Sequence, residues 1–302
     1  MTHRKIFDVL IIGGSYAGLS AAMALGRSLK NVLVIDSGKP CNATTPHSHN
    51  FLTQDGIPPK EIAAIAQGQV KKYETVRFYS GLAVSGTKTG DEFQITTQTG
   101  DTFWGKKVVF ATGIKDEMLP IQGLVDCWGK SVIHCPYCHG YEYRHKKTGI
   151  LANGESAFHM AKLVNNLTDE LTLLTNGPSN LSSEQTEALQ KYKIPIIETG
   201  VTNLEHEKGC LQQVVFKDGS SISLDAMYAS LPFVQHSEIP VSLGCELTEQ
   251  GYIQTDPFQK TTVPGVFACG DNASMMRSVA NAVASGNIAG AMANHELTEE
   301  QF

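Results

Sequence analysis

The sequence predicts an α/β protein built from two Rossmann-like strand, glycine turn, helix, strand units, and three observations lead there. Residues Phe7 to Ile12, FDVLII, form a short and almost continuously apolar run that stops at glycine, as expected of a strand buried on both faces of a parallel sheet. In mid-chain, KTGILANGESAFHMAKLVNN followed by ELTLLTNG repeats the same order of elements, and a repeated unit points to two similar domains. Near the end, KTTVPGVFACGDNA supplies a further strand, ending at Asp271, and a helix rich in Ala and Gly follows it.

Taken in order, the first strand runs into GGSYAG, small residues continue from Ala17 to Leu25 as a helix, and NVLVID makes a second strand ending at Asp36. This is a βαβ unit at the start of the chain. EFQITTQTGDTFWGKKVVFATG then alternates like antiparallel strands before a last apolar strand that ends in Thr112-Gly113. The stretch HCPYCHG, His134 to Gly140, comes next, followed by the second unit. No low-complexity segment or long charge run intervenes, so the crossings between domains must be short; they are expected near residues 114–117 and 231–240.

The 302 residues suffice for two domains with buried cores. With 41% hydrophobic and 18% charged residues and a net charge of −6, the composition calls for neither a nucleic acid nor an anionic membrane surface. The seven cysteines form an odd set, and Cys41, Cys127, Cys210, Cys245 and Cys269 are scattered singly. That pattern suits a reducing cytoplasm better than a secreted disulfide framework. The start of the chain imitates a signal peptide, since basic residues precede an apolar run, but Asp8 and the paired glycines break the pattern. No apolar run approaches the ~20 residues a spanning helix needs.

In GGSYAG, Gly13 to Gly18, Ser15 stands where the usual G-x-G-x-x-G has its second glycine. The physics still fits: glycine permits the tight turn, a small residue admits a pyrophosphate, and Gly18 lets helix and strand pack closely. The helix N-terminus would offer N–H groups and a positive dipole end to phosphates. A tight turn with no ligand is the plain alternative. Asp36, eighteen residues after Gly18, is placed to accept hydrogen bonds from a ribose, or else is a solvated strand end. The stretch HCPYCHG admits three chemistries: a haem c attachment, half a zinc site, or a redox disulfide.

GGSYAG, then ATG at Ala111 to Gly113, then Cys-x-x-Cys, then GVFACGDNA at Gly265 to Ala273 stand in this order. Over essentially the whole chain the set resembles the low-molecular-weight thioredoxin reductase family. The resemblance implies a discontinuous FAD-binding domain, residues 1–115 and 233–302, and a smaller inserted NAD(P)-binding-like domain, 116–232, that carries the cysteines. It implies FAD contacts from Gly13, Gly14, Ser15, Tyr16 and Ala17, from Asp36, Ser37 and Lys39, from Thr112 and Gly113, and from Gly270 and Asp271, whose carboxylate region meets the ribityl chain. Ser278 and Val279 open the family's closing helix, whose N-terminus would face the isoalloxazine and stabilise the anionic reduced flavin. The family's Arg-Gln-Ala reads Arg277-Ser278-Val279 here, so the side-chain contacts of that turn differ. A cytoplasmic homodimer is also implied.

Within that context haem c lacks its export compartment, and zinc lacks a second paired motif, unless His134 and His139 complete a set with the two cysteines. A redox disulfide is expected instead: two cysteines three apart can pair across one turn, Pro136 suits the start of a short helix, and a helix start favours a thiolate. No metal is expected. The resemblance gives Cys138 to the flavin and Cys135 to the substrate. His139 departs from the acidic residue usual after the second cysteine, and CPYCHG resembles the branch of fungal and bacterial dithiol oxidases that close the disulfides of gliotoxin-like and holomycin-like metabolites. An imidazole there can serve as base toward an incoming thiol and acid toward a leaving one, or merely cap its helix.

The second unit is defective by the family's standard. ANGESA, Ala152 to Ala157, stands where Gly-Gly-Gly-Asp-Ser-Ala is expected, and Thr175-Asn176-Gly177 replaces the His-Arg-Arg cluster that grips a 2′-phosphate. Weak or absent NADPH binding follows, unless Lys193 or Lys217 supplies the cation. The expected function is that of an FAD-dependent thiol–disulfide oxidoreductase acting on a dithiol or disulfide, small molecule or thioredoxin-like protein; the direction of electron flow stays open, and in an oxidase reading substrate dithiols would reduce the flavin and oxygen reoxidise it. The alternatives are a thioredoxin reductase driven by NADPH or by a protein donor such as ferredoxin, and a non-catalytic flavin-binding redox sensor.

Overall fold

The computed structural model describes residues 5–302; Met1 to Arg4, the basic start of the leader-like stretch, lie outside the described residues. In chain order the elements are β1 (Ile6–Ile12), α1 (Tyr16–Arg27), β2 (Val32–Asp36), α2 (Pro59–Val70), β3 (Val76–Ser80), β4 (Ala83–Thr89), β5 (Glu92–Thr97), β6 (Thr102–Phe110) and β7 (Ile114–Asp116). There follow α3 (Leu124–Cys127), β8 (Val132–Ile133), α4 (Pro136–His139), β9 (Thr148–Leu151), α5 (Gly154–Val164), β10 (Leu171–Leu174), α6 (Ser183–Lys191), β11 (Ile196–Ile197), β12 (Val201–Glu207), β13 (Cys210–Phe216), β14 (Ser221–Ser223) and β15 (Ala226–Ala229). The chain closes with β16 (Phe233–Gln235), α7 (Ile239–Ser242), β17 (Val266–Ala268) and α8 (Val279–Glu299).

Two compact units result. One comprises Met1–Ala43, Phe51–Lys115 and Val234–Phe302, and the other Thr44–Asn50 with Asp116–Phe233. The short segment Thr44–Asn50 therefore groups with the inserted part of the chain, which the sequence did not foreshadow. In the first unit a sheet runs β3-β2-β1-β6-β5-β4. The nine-residue β6 divides its outer edge, Thr102 to Gly105 pairing with β5 and Val108 to Phe110 with β17. Strands β1 and β2 are almost wholly buried, as their apolar runs predict. β17 stops at Ala268 rather than at Asp271, because Gly270 takes φ +81° and turns the chain out of the sheet.

α8 crosses α1 over small residues. The Cβ positions of Gly286 and Gly290 would lie 2.1 Å from the Ala17 carbonyl oxygen and 2.5 Å from that of Ala21, so the two helices touch backbone to backbone. At the far end of α8, Lys107 is buried and pairs with Glu296 (3.3 Å) and Glu300, while Lys260 also holds Glu296 at 2.9 Å.

The second unit holds an all-parallel sheet in the order β11-β10-β9-β15-β8 and an antiparallel meander β12-β13-β14. Lys208 and Gly209, both at positive φ, turn β12 into β13, the backbone twist that two-residue hairpins prefer. No described helix is long and apolar enough to cross a membrane.

Candidate redox and nucleotide sites

In the first unit β1 delivers the chain into Gly13, which takes φ +104° and has no room for a side chain: a Cβ there would meet the Ala111 carbonyl oxygen at 2.2 Å. A Cβ on Gly18 would meet the Gly13 oxygen at 1.9 Å, so helix and strand approach as closely as the glycine spacing predicts. The Gly14 N–H donates to Asp36 Oδ1 at 3.0 Å, fixing the acid beside the turn. Ser15 occupies the N-cap of α1 but makes no side-chain cap bond, which leaves the helix's first N–H groups for a ligand. Tyr16 and Ala17 are buried in the first turn of α1, and Ser37 and Lys39 lie exposed just after β2.

Across the sheet, Asn272 is fully buried. Its Nδ2 donates to the Phe110 carbonyl (2.9 Å) and to Thr112 Oγ1 (3.2 Å), and its Oδ1 is buried without a hydrogen-bond partner among the described residues. A buried acceptor left over in this way fits a ligand donor. Gly113, beside it, faces open space at φ +65°. Gly270 N–H donates to Ser285 Oγ (3.0 Å), and the Asp271 carboxylate lies 3.9 Å from Arg277 Nε and 3.8 Å from Cys41 Sγ. Ser278 caps α8, its hydroxyl accepting from Asn281 N–H at 3.2 Å, so the Ser278-Val279 turn keeps a helix start despite its altered side chains. These are the groups that would hold a dinucleotide. Sequence reasoning missed Asn272 and Ser285.

In the second unit Cys135 is the N-cap of α4, and the Cys138 and His139 N–H groups both reach its carbonyl at 3.3 Å. α4 is a single turn, so the dipole expected to favour the Cys135 thiolate is small. Both cysteines are partly buried, and Tyr137 between them is exposed. The turn is held down at Gly140, whose Cβ would lie 2.3 Å from the Pro136 oxygen, 2.5 Å from Leu167 and 3.1 Å from the Tyr228 hydroxyl. Burial, and then the Cys135 charge, push the Tyr228 phenol far up, so it stays protonated.

His139 does not cap its helix. Its two ring nitrogens are buried without hydrogen-bond partners among the described residues. Burial first, and then His49, hold its pKa below the usual imidazole range, while Glu142 pulls the other way; it is therefore a neutral base at neutral pH. Glu142 itself stands 3.6 Å from His49 Nδ1. Among the described residues no group of three or more His, Cys, Asp or Glu side chains is arranged to hold a metal ion.

The turn after β9 contrasts with that after β1. Asn153, the N-cap of α5, accepts from the N–H groups of Gly154 and Asn180 (both 2.8 Å) through Oδ1. Its Nδ2 donates to the carbonyls of Pro178 (2.9 Å) and Thr175 (3.4 Å). The side chain thus bridges the start of α5 to the Thr175–Asn180 turn, and Glu155 stands in the first turn of the helix. After β10, Thr175 Oγ1 donates to the Gly177 carbonyl (2.7 Å) and Asn176 Oδ1 accepts from Val201 N–H (2.7 Å). Both side chains are committed to the backbone. Lys217 is near: a Cβ on Gly200 would lie 3.7 Å from Asn176 Oδ1 and 4.0 Å from Lys217 Cβ. Lys193 follows α6 in an exposed turn.

The pyridine nucleotide-disulphide oxidoreductase family model matches residues 7–286. The thioredoxin reductase tcpT of Claviceps purpurea is 36% identical over 98% of this chain and 96% of its own, and the thioredoxin reductase sirT of Leptosphaeria maculans is 30% identical over 98% and 95%. Among solved structures, the putative thioredoxin reductase TrxB of Bacillus anthracis superposes with a TM-score of 0.93 at 32% identity over 98% of this chain and all of its own. HlmI superposes with a TM-score of 0.93 at 31% identity over all of this chain and 95% of its own. With the glycine cradle, the buried Asn272 and these matches, the chain belongs to the pyridine nucleotide-disulphide oxidoreductase family, as a thioredoxin reductase-like FAD oxidoreductase acting on disulfides.

Proposed function

We propose that the protein is a dithiol-driven FAD oxidoreductase that cycles the Cys135–Cys138 pair and has lost NADPH binding. One observation carries the loss: the Asn153 side chain fills the turn of the inserted unit, whereas the equivalent helix start at Ser15 is left open. A pyrophosphate entering beside α5 would have to displace Asn153 Oδ1 from the N–H groups of Gly154 and Asn180 and meet Glu155, and a 2′-phosphate would find Thr175 and Asn176 where arginines would grip it.

In the proposed cycle His139 takes the proton of an incoming substrate thiol. The resulting thiolate attacks Cys135 Sγ of the Cys135–Cys138 disulfide, forming a mixed disulfide and releasing the Cys138 thiolate. The second substrate thiol attacks the substrate sulfur of the mixed disulfide and gives its proton to the expelled Cys135 thiolate, so that the substrate leaves as its disulfide and two electrons have passed to the cysteine pair. A bound FAD would supply the two-electron acceptor that returns the cysteine pair to its disulfide, with oxygen as the final oxidant. The residues that would hold it are Gly13, Gly14, Ser15, Tyr16, Ala17, Asp36, Ser37, Lys39, Thr112, Gly113, Gly270, Asp271, Ser278 and Val279.

An anaerobic titration tests the proposal: NADPH, NADH, a small dithiol and reduced ferredoxin are added separately and the flavin absorbance is followed. The dithiol is expected to bleach the flavin stoichiometrically, and NADPH to leave it oxidised. Rapid bleaching by NADPH, abolished in Lys217→Ala, would establish the second reading, in which Lys217 replaces the missing arginines of an NADPH-driven reductase.

A further inference from the structure

We propose that the Tyr228 hydroxyl is a hydrogen-bond donor held beneath the Cys135–Cys138 turn, and that it engages the Cys135 sulfur when that sulfur becomes a thiolate. The proposal rests on the reading of Cys135 and Cys138 as the redox pair.

The hydroxyl has no use in the fold. Tyr228 stands on β15 with 1% of its surface exposed, in a core cluster whose other buried members, Ile133, Ile150, Ala161 and Val164 among them, are all apolar. Its hydroxyl oxygen is buried and makes no hydrogen bond among the described residues. A buried hydroxyl without a partner gives up water and gains nothing in return, so phenylalanine would fill the same place at lower cost.

The position of the ring supplies a use. β15 pairs in parallel with β8, Tyr228 standing opposite Ile133, and β8 leads from Ile133 through His134 into Cys135, the N-cap of α4. The single turn Pro136–His139 then brings the chain back over the ring. A Cβ on Gly140, the C-cap, would lie 3.1 Å from the Tyr228 hydroxyl and 2.3 Å from the Pro136 oxygen. The turn that carries both cysteines therefore leaves from the tyrosine's strand neighbour and ends against its hydroxyl.

Three charges bear on the phenol: Cys135 most, then Glu142 and Tyr143. Glu142 faces His49 at 3.6 Å, and the Tyr143 hydroxyl donates to the Lys130 carbonyl at 2.8 Å. Cys138 and His139 complete the turn. Cys135 differs from the others in gaining its charge during the reaction. As a free thiol, its state in this structure, it is a weak acceptor; as a thiolate it is a strong one. Burial keeps the phenol protonated, so it can donate to that thiolate without giving up its proton. The second substrate thiol expels Cys135 as a thiolate, and a donor to this sulfur makes it the better leaving group.

The test follows the alkylation rate of Cys135 by iodoacetamide over about pH 5 to 10, read by peptide mass spectrometry. Cys138→Ser holoenzyme, in which Cys135 is the only thiol of the pair, is compared with the same protein carrying Tyr228→Phe. The added substitution is expected to raise the Cys135 midpoint by about half to one pH unit, slowing alkylation below it roughly three- to tenfold, while the exposed Cys210 keeps its profile. Tyr228→Phe should also melt no lower than the wild type. An unchanged or lowered Cys135 midpoint overturns the proposal; so does a variant that melts lower or fails to fold, since the hydroxyl would then serve the fold. Turnover separates this from the reading beneath it: normal activity of Cys135→Ser would end the redox-pair reading, while the titration would still judge the donor.

Discussion

The contact between α8 and α1 is held by glycine, and Gly286→Ala tests how tightly. A methyl at residue 286 would lie 2.1 Å from the Ala17 carbonyl oxygen, 2.8 Å from its carbonyl carbon and 2.9 Å from its Cα. All three are backbone atoms, so no rotamer change relieves the clash, and the helices must separate by about 1 Å to restore ordinary contact. Overpacking of this kind costs about 1–3 kcal/mol, while replacing a mid-helix glycine by alanine returns up to about 1 kcal/mol. The expected net loss is ~1–2 kcal/mol, a fall in melting temperature of roughly 2–8 °C for a protein of this size. Gly68 in α2 is the control, being exposed with nothing within 4 Å of its Cβ position; Gly68→Ala should gain about 0.5–1 kcal/mol. Thermal melts followed by circular dichroism, with FAD content read from absorbance, make the comparison. Gly286→Ala should also retain less FAD, since α8 carries the Ser278-Val279 turn. A Gly286→Ala protein as stable as the wild type would refute the backbone contact.

Two further outcomes concern the cysteines. If Cys138 is the thiol that communicates with the flavin, Cys135→Ser should show a broad long-wavelength charge-transfer band that Cys138→Ser lacks, and both variants should lose turnover; a band in Cys138→Ser alone would reverse the roles. Burial pushes the Cys269 thiol up to about 12 and raises Cys127 and Cys245 as well. At about pH 8 these three remain thiols, so alkylation read by mass spectrometry should modify the exposed Cys41 and Cys210 first and reach the buried three only on unfolding.

Much of the first unit was legible because its signals are local. A buried strand, a glycine turn and an acid at the end of the next strand lie within Phe7 to Asp36, and Gly14 N–H does meet Asp36. The departure of the second nucleotide turn from the family pattern was legible as substitutions, but the contacts that occupy the turn were not: that Asn153 bonds to Asn180, Thr175 and Pro178 depends on a fold bringing separate turns together. The hairpin from β12 to β13 carried a readable signal in Lys208-Gly209 between alternating strands. Other features had none. β8 is two residues long and exists because β15 pairs with it, and the approach of His49 to Glu142 joins segments far apart in sequence. The short helix at Pro136 was legible, whereas its ending after a single turn, which leaves little dipole at Cys135, was not.

Whether electrons enter from a dithiol, as proposed, rather than from NADPH can be read with an oxygen electrode. The holoenzyme is given a small vicinal dithiol in air-saturated buffer without pyridine nucleotide. Oxygen uptake matched one to one by disulfide formed, and abolished in both Cys135→Ser and Cys138→Ser, is the expected result. No uptake with the dithiol, together with NADPH-dependent reduction of a disulfide by the same preparation, would contradict it.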